Sequence, residues 1–319
     1  MSQFYNLLES VLILCLLILC TFWLKKRGIV SPEYGSTFSR LVTDFVLPAL
    51  IFISLARGTF SFKEMIPAAI MLVSILVCCF LGWLIGRRLG LNQKQLGAFT
   101  LVAGFGSSST LGYTLISQVF AGNTNAMMDG MIVGEFGACI PAFTIGAALA
   151  MYFGRDETEN ASITPVLVNF LRSPIFIALV AGLTCSIIGL PMHNPVVKFV
   201  HKFFTIVGNS LELMVAIGIG LMLRAIPFRK LAVLIIAIVA IKLIAEPLLA
   251  GIGGVLLHLP TIESDVLIIE AAMPSGAVAA VLAARYGCDG AIAASLTLGT
   301  YVVSLITIPV VFWVFTMIN

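Results

Sequence analysis

Residues 104–112 read Gly-Phe-Gly-Ser-Ser-Ser-Thr-Leu-Gly, and residues 270–276 read Glu-Ala-Ala-Met-Pro-Ser-Gly. Both lie inside long apolar runs, and both make poor helix interiors. The first packs three glycines and four hydroxyls into nine residues; the second holds a proline followed by Ser-Gly. Glycine and proline destabilise helix interiors. In lipid, broken backbone is tolerated only where it is buried in protein or lines a watery cavity. The two stretches therefore predict helices interrupted at membrane depth. A matched pair of interrupted helices is the sequence mark of a transporter binding site.

The membrane setting follows from composition. The 319 residues are 60% hydrophobic and only 10% charged, with a mean hydropathy of +1.11. Soluble globular chains carry about 25% charged residues, so a cytosolic enzyme, a secreted disulfide scaffold and a disordered chain are excluded. A net charge of +3 spread over scattered loops gives no nucleic-acid patch. The apolar runs are too long for the alternating segments of a transmembrane barrel. A span needs about 20 apolar residues, and ten candidate spans fall near 6–24, 37–57, 65–86, 95–120, 126–153, 165–189, 196–222, 229–257, 263–285 and 289–317. The first has no basic n-region or cleavage motif, so it reads as a retained span. Seven cysteines lie mostly within spans and imply no disulfide.

Basic residues orient the bundle. With both termini outside, twelve of the 18 Lys and Arg residues face the cytoplasm, among them Lys25, Lys26, Arg27, Arg87 and Arg88. Residues 1–154 form a first five-helix repeat, 155–164 a short polar cytoplasmic loop, and 165–319 a second repeat. The Asn160-Ala-Ser162 sequon in that loop is read as chance. Because five is odd, the halves are inverted relative to each other, the usual architecture of secondary transporters. Weak internal similarities keep the same order in both halves. Val133-Gly134-Glu-Phe with Ile140-Pro141 in span 5 is matched by Leu298-Gly299-Thr-Tyr with Ile308-Pro309 in span 10.

The chemistry of the breaks is electrostatic. Half-helix N-termini present free N–H groups and a positive dipole end, which suits a carboxylate. Gly106, Ser107, Ser108, Ser109 and Thr110 on span 4, with Met273, Pro274, Ser275 and Gly276 on span 9, are the candidate substrate-binding residues. Small residues that simply let helices pack closely are the alternative. Gly104-Phe-Gly106 is no dinucleotide fingerprint, since its third glycine is misplaced and no βαβ unit surrounds it.

Ionisable residues inside spans are costly and default to function. Asp44, Glu135, Glu270, Lys242 and Glu246 are the candidates for ion or proton coupling. Lys242 and Glu246 share one face of span 8 at i,i+4, either as a self-neutralising structural pair or as a charge switch. Glu270 lies one turn before Pro274. Glu135 and Glu270 either take up a proton, if burial disfavours the charged form, or serve as hydrogen-bonded structural carboxyls. Glu212 is also intramembrane, and Arg172 snorkels from a span end. The three histidines are too dispersed for a metal site.

Several stretches resemble the auxin efflux carrier family: Leu41-Val-Thr-Asp44-Phe-Val-Leu-Pro48-Ala-Leu-Ile-Phe52, Ser109-Thr-Leu-Gly112-Tyr113, Ser173-Pro174-Ile-Phe-Ile-Ala178-Leu-Val-Ala-Gly182, and Ala271-Ala272-Met273-Pro274-Ser-Gly-Ala-Val. The resemblance runs nearly end to end and is carried by their order. It implies an all-α, ten-helix 5+5 inverted repeat akin to bile-acid sodium symporters and NhaA-type exchangers, with helices 4 and 9 crossing at the midplane. It implies a secondary transporter rather than an enzyme, a permease for small organic anions such as malate or malonate, or indole-3-acetate in plants. The short central loop looks bacterial, which implies an inner-membrane protein with both termini outside. Relatives often carry Asn or Pro at the span-4 break, where this chain has Gly106 and a serine run. A sodium- or proton-coupled symporter, an uncoupled carrier, a non-transporting receptor and a homodimer stay open. No cofactor beyond a coupling sodium ion or proton is implied.

Overall fold

A computed structural model describes residues 2–56, 65–120, 123–155, 168, 171–188, 194–224 and 226–318. Most of the 155–164 loop with its sequon, and also Arg57, Lys63 and His193, lie outside the described residues, as do the side chains of Ser109 and Thr110. Regular structure among the described residues is helical, and pairing outside helices is limited to the Gly106–Ser275 bridge.

Among the described residues, six helical stretches are long and apolar enough to cross a membrane: Tyr34–Ile53, Met65–Arg88, Asn125–Gly154, Pro195–Met222, Arg229–Leu256 and Gly290–Ile308. They coincide with six of the candidate spans. The 6–24 run falls in α1 (Ser2–Lys26), and the described part of the 165–189 run is a 15-residue helix, Pro174–Ile188. The 95–120 and 263–285 runs are each split in two.

In chain order α1 is followed by α2 (Tyr34–Leu41), α3 (Leu47–Ala56), α4 (Met65–Arg88), α5 (Gln93–Gly104), α6 (Tyr113–Val119), α7 (Thr124–Ile132) and α8 (Ala147–Gly154). The second half contains α9 (Pro174–Ile188), α10 (Pro195–Asn209), α11 (Leu211–Met222), α12 (Phe228–Val239), α13 (Glu246–Leu256), α14 (Thr261–Ala271), α15 (Ala277–Arg285) and α16 (Gly290–Ile318).

Among the described residues, five widened π-helical turns interrupt these rods: π1 (Val42–Val46), π2 (Ser108–Gly112), π3 (Val133–Cys139), π4 (Ala142–Gly146) and π5 (Ala240–Ala245). Three have one cause. A proline follows the end of π1, π3 and π5 by two residues, at Pro48, Pro141 and Pro247. Proline cannot donate to the carbonyl four residues back, and its ring clashes with it. The residue before each proline bonds five residues back instead: Leu47 to Val42, Ile140 to Glu135 and Glu246 to Ile241. Each of these turns carries one of the intramembrane ionisable residues, Asp44, Glu135 or Lys242.

Most helix packing falls within two groups, which meet where α1 and α11 touch α16 and where α2 and α11 touch α15. The α9 and α10 helices lie against α3, and α11 lies against α1 and α2. Lys25 at the end of α1 ties that helix to α11 by donating to the carbonyls of Leu221 and Leu223 at its C-terminus. In the other group α4 packs on α5, π3 and α13, while α16 packs on α5, α12 and α15. Close approach of α4 and α5 requires small residues, since a methyl built on Gly82 would sit 2.7 Å from the Ala103 Cβ.

Candidate functional site at the helix crossover

The helix α5 stops at Gly104, and Phe105 turns to extended backbone at φ −96°, ψ 123°. The α14 helix stops at Ala271, and α15 starts after Gly276. The two broken segments run antiparallel and bond to each other. Ser107 N donates to Pro274 O (2.9 Å), and Gly276 N donates to Phe105 O (2.7 Å). Each break thus satisfies part of the other's freed backbone, the condition for non-helical chain at membrane depth.

Side chains from the second helix group lock this crossing. Ser275 Oγ donates to Val102 O at 2.8 Å, and Thr300 Oγ1 accepts from Ser275 N at 3.2 Å. The buried Tyr301 hydroxyl engages the Ser107 side chain and the Ala277 backbone. Met273 is fully buried.

A small cavity of about 60 Å³ opens on this crossing. One wall is Gly106, Ser107 and the first turn of α15, so the leading ends of both downstream half-helices meet there. The facing wall comes from the other helix group: Leu14 on α1, and Leu211, Glu212 and Val215 on α11. The span-5 turns close it with apolar groups including Ala142 and Phe143.

Of the nine candidate substrate residues, Gly106, Ser107 and Gly276 line this cavity. Ser275 is committed to Val102, and the Pro274 carbonyl to Ser107. Ser108 is buried, and its hydroxyl has no hydrogen-bond partner.

The ionisable candidates separate. Lys242 Nζ lies 2.5 Å from Glu246 Oε2, both side chains fully buried. That ammonium stands against the span-4 break, for a methyl on Gly106 would sit 2.7 Å from it. Glu270 lies over Gly112 of π2, and neither carboxylate oxygen has a hydrogen-bond partner. Glu135 accepts from the Tyr113 hydroxyl at 3.0 Å. Asp44 stands apart from the crossing, paired with Arg285 at the end of α15 (3.0 Å), with partial exposure on both sides.

Tyr113, Thr300, Tyr301 and Arg285 carry roles that residue type alone did not disclose. One signal was available for Thr300: the internal similarity sets Gly299-Thr300 against Gly134-Glu135. In the structure each of these two residues bonds the broken helix of its own half, Glu135 to Tyr113 and Thr300 to Ser275.

The sequence profile of a family described as membrane transport protein matches residues 6–312. The chain is similar to an uncharacterized transporter of Methanocaldococcus jannaschii, 23% identical over 313 residues that cover 96% of this chain and 98% of the relative. An uncharacterized transporter of Methanothermobacter thermautotrophicus is 27% identical over 314 residues, 94% of this chain and 96% of the relative. The uncharacterized transporter YfdV of Escherichia coli K12 is 22% identical over 289 residues, 87% of each chain.

Proposed function

Because this chain belongs to the membrane transport protein family that takes in the auxin efflux carriers, we propose that it is a secondary transporter of small organic anions, with its site in the crossover cavity. The single observation that carries this reading is the cavity's position. It lies at the leading ends of two half-helices, where α1 and α11 of one helix group face the crossover of the other. Each half-helix end favours a negative charge by about 0.3–2 kcal/mol. Two ends together supply about 0.6–4 kcal/mol, reaching millimolar affinity at the top of that range, before the apolar walls contribute.

The α11 wall refines the substrate. Leu14, Phe143 and Val215 accept an apolar body, whereas Glu212 repels a second carboxylate. A monocarboxylate with an apolar body therefore fits better than a dicarboxylate. Movement of the crossover-bearing group against the α1–α3 and α9–α11 group exposes the cavity to each side in turn. We read the chain as ten spans in a 5+5 inverted repeat, in a bacterial inner membrane with both termini outside, as the basic residues direct.

The test is thermal unfolding of purified protein against indole-3-acetate, malate and malonate. Stabilisation by indole-3-acetate that exceeds that by malate, with Glu212→Gln narrowing the difference, supports the reading. Equal unfolding temperatures with and without every carboxylate overturn it.

A further inference from the structure

We propose that Glu270 is a proton-exchange site of this protein, set beside a fixed Lys242–Glu246 pair and separate from the substrate cavity. The argument is a charge inventory at the crossing. One cation, Lys242, and three acids, Glu135, Glu246 and Glu270, converge there from spans 5, 8 and 9. Lys242 is committed to Glu246 at 2.5 Å. Glu135 is held by the Tyr113 hydroxyl at 3.0 Å. Glu270 has no side-chain exposure to solvent and no hydrogen-bond partner on either oxygen.

The surroundings of Glu270 come from several elements. Ser108 of π2 stands next to it, near enough for its hydroxyl to interact with the carboxyl but short of full hydrogen-bond geometry. The carboxyl presses on Gly112, where a methyl would meet its oxygens at 2.5 and 2.6 Å, so any residue larger than glycine would displace it. The charges that reach Glu270 are Glu135, which repels an anion, and Lys242, whose charge is already spent on Glu246. Asp129 on α7 and the thiols of Cys78 and Cys79 on α4 are further titratable groups on the elements packed against α14.

An isolated ionised carboxylate in such a place is far more costly than a neutral acid. A carboxylic acid also needs one acceptor for its proton, and a serine hydroxyl both accepts and donates. In the occluded arrangement Glu270 therefore holds a proton, with Ser108 as its partner-in-waiting. When the crossing opens and water reaches the carboxyl, the ion is solvated and the proton leaves to water. A metal cation is disfavoured because the Lys242 ammonium already stands at the break.

The experiment reads the proton and needs no transported substrate. Infrared spectra of purified wild type, Glu270→Gln and Glu135→Gln are compared across pH for the carboxylic-acid C=O stretch. The expected result is a buried-acid band at neutral pH that disappears in Glu270→Gln and persists in Glu135→Gln. Ser108→Ala, which keeps every backbone contact, should shift the same band and supplies the readout should Glu270→Gln fold poorly. A spectrum that neither variant changes overturns the proposal. So does stabilisation of the wild type by sodium chloride, relative to potassium chloride, that Glu270→Gln abolishes. Failure of carboxylate binding in the unfolding assay leaves this result untouched, so the two claims fail separately.

Discussion

Replacing Gly276 with alanine tests the crossing at its tightest point. The residue has φ −64°, open to any side chain, so the effect is steric rather than conformational. The added methyl would lie 2.6 Å from Gly106 O and 3.0 Å from Gly106 C. Carbon contacts settle near 3.5–4.0 Å, so the two backbones must part by close to 1 Å. That opening breaks Gly276 N to Phe105 O and Ser107 N to Pro274 O. Each buried bond broken costs about 1–3 kcal/mol, giving about 2–6 kcal/mol for the two. Gly251→Ala is the matched control. It lies inside α13, where the methyl meets only Ile268 side-chain atoms at 3.5 and 3.8 Å. That change should be neutral or stabilise by up to about 1 kcal/mol through helix propensity. Thermal unfolding in detergent, followed by tryptophan fluorescence, compares the two. Gly276→Ala unfolding at or above the wild-type temperature would refute the crossing as drawn.

Three further outcomes follow from other contacts. Lys242→Met should cost about 3–5 kcal/mol by stranding Glu246, while Lys242→Met/Glu246→Leu recovers most of it; unfolding midpoints that simply add would contradict the pairing. Asp44→Asn removes a partly exposed ion pair and should change stability by less than about 1 kcal/mol, so a larger drop by the same assay would mean the pair is desolvated. In the turn after α15, burial pushes the Cys288 thiol up to about 12. Its thiolate therefore stays at about 0.1% or less up to pH 9, and alkylation by N-ethylmaleimide, read by peptide mass spectrometry, should run on the order of a thousandfold slower than at a free thiol of pKa near 8.5. A rate within tenfold of the free thiol's at pH 8 would contradict the burial.

The breaks at 104–107 and 272–276 were legible because glycine and proline act locally on the helix that contains them. The six long spans were legible for the same kind of reason, since length and apolarity are properties of one segment. The bond between the breaks was not, because Gly106 and Ser275 are far apart in the chain and either segment alone fits a packing surface equally well. Asp44 read as a lone intramembrane acid until its partner, Arg285, was brought from the far end of α15. The π turns before Pro48, Pro141 and Pro247 are a local effect of proline, visible in principle from the sequence. Tyr301 gave no sign, for a tyrosine in an apolar span is most simply a core residue, and its contact with the opposite broken helix exists only after folding.

The most direct measurement is uptake of radiolabelled indole-3-acetate into proteoliposomes by wild type and by Val215→Phe, which fills the cavity from α11 without touching the crossing. Saturable uptake by the wild type that falls at least tenfold in the variant, at an unchanged unfolding temperature, is the predicted result. Uptake that the filled cavity leaves undiminished would contradict the placement of the anion at the crossover.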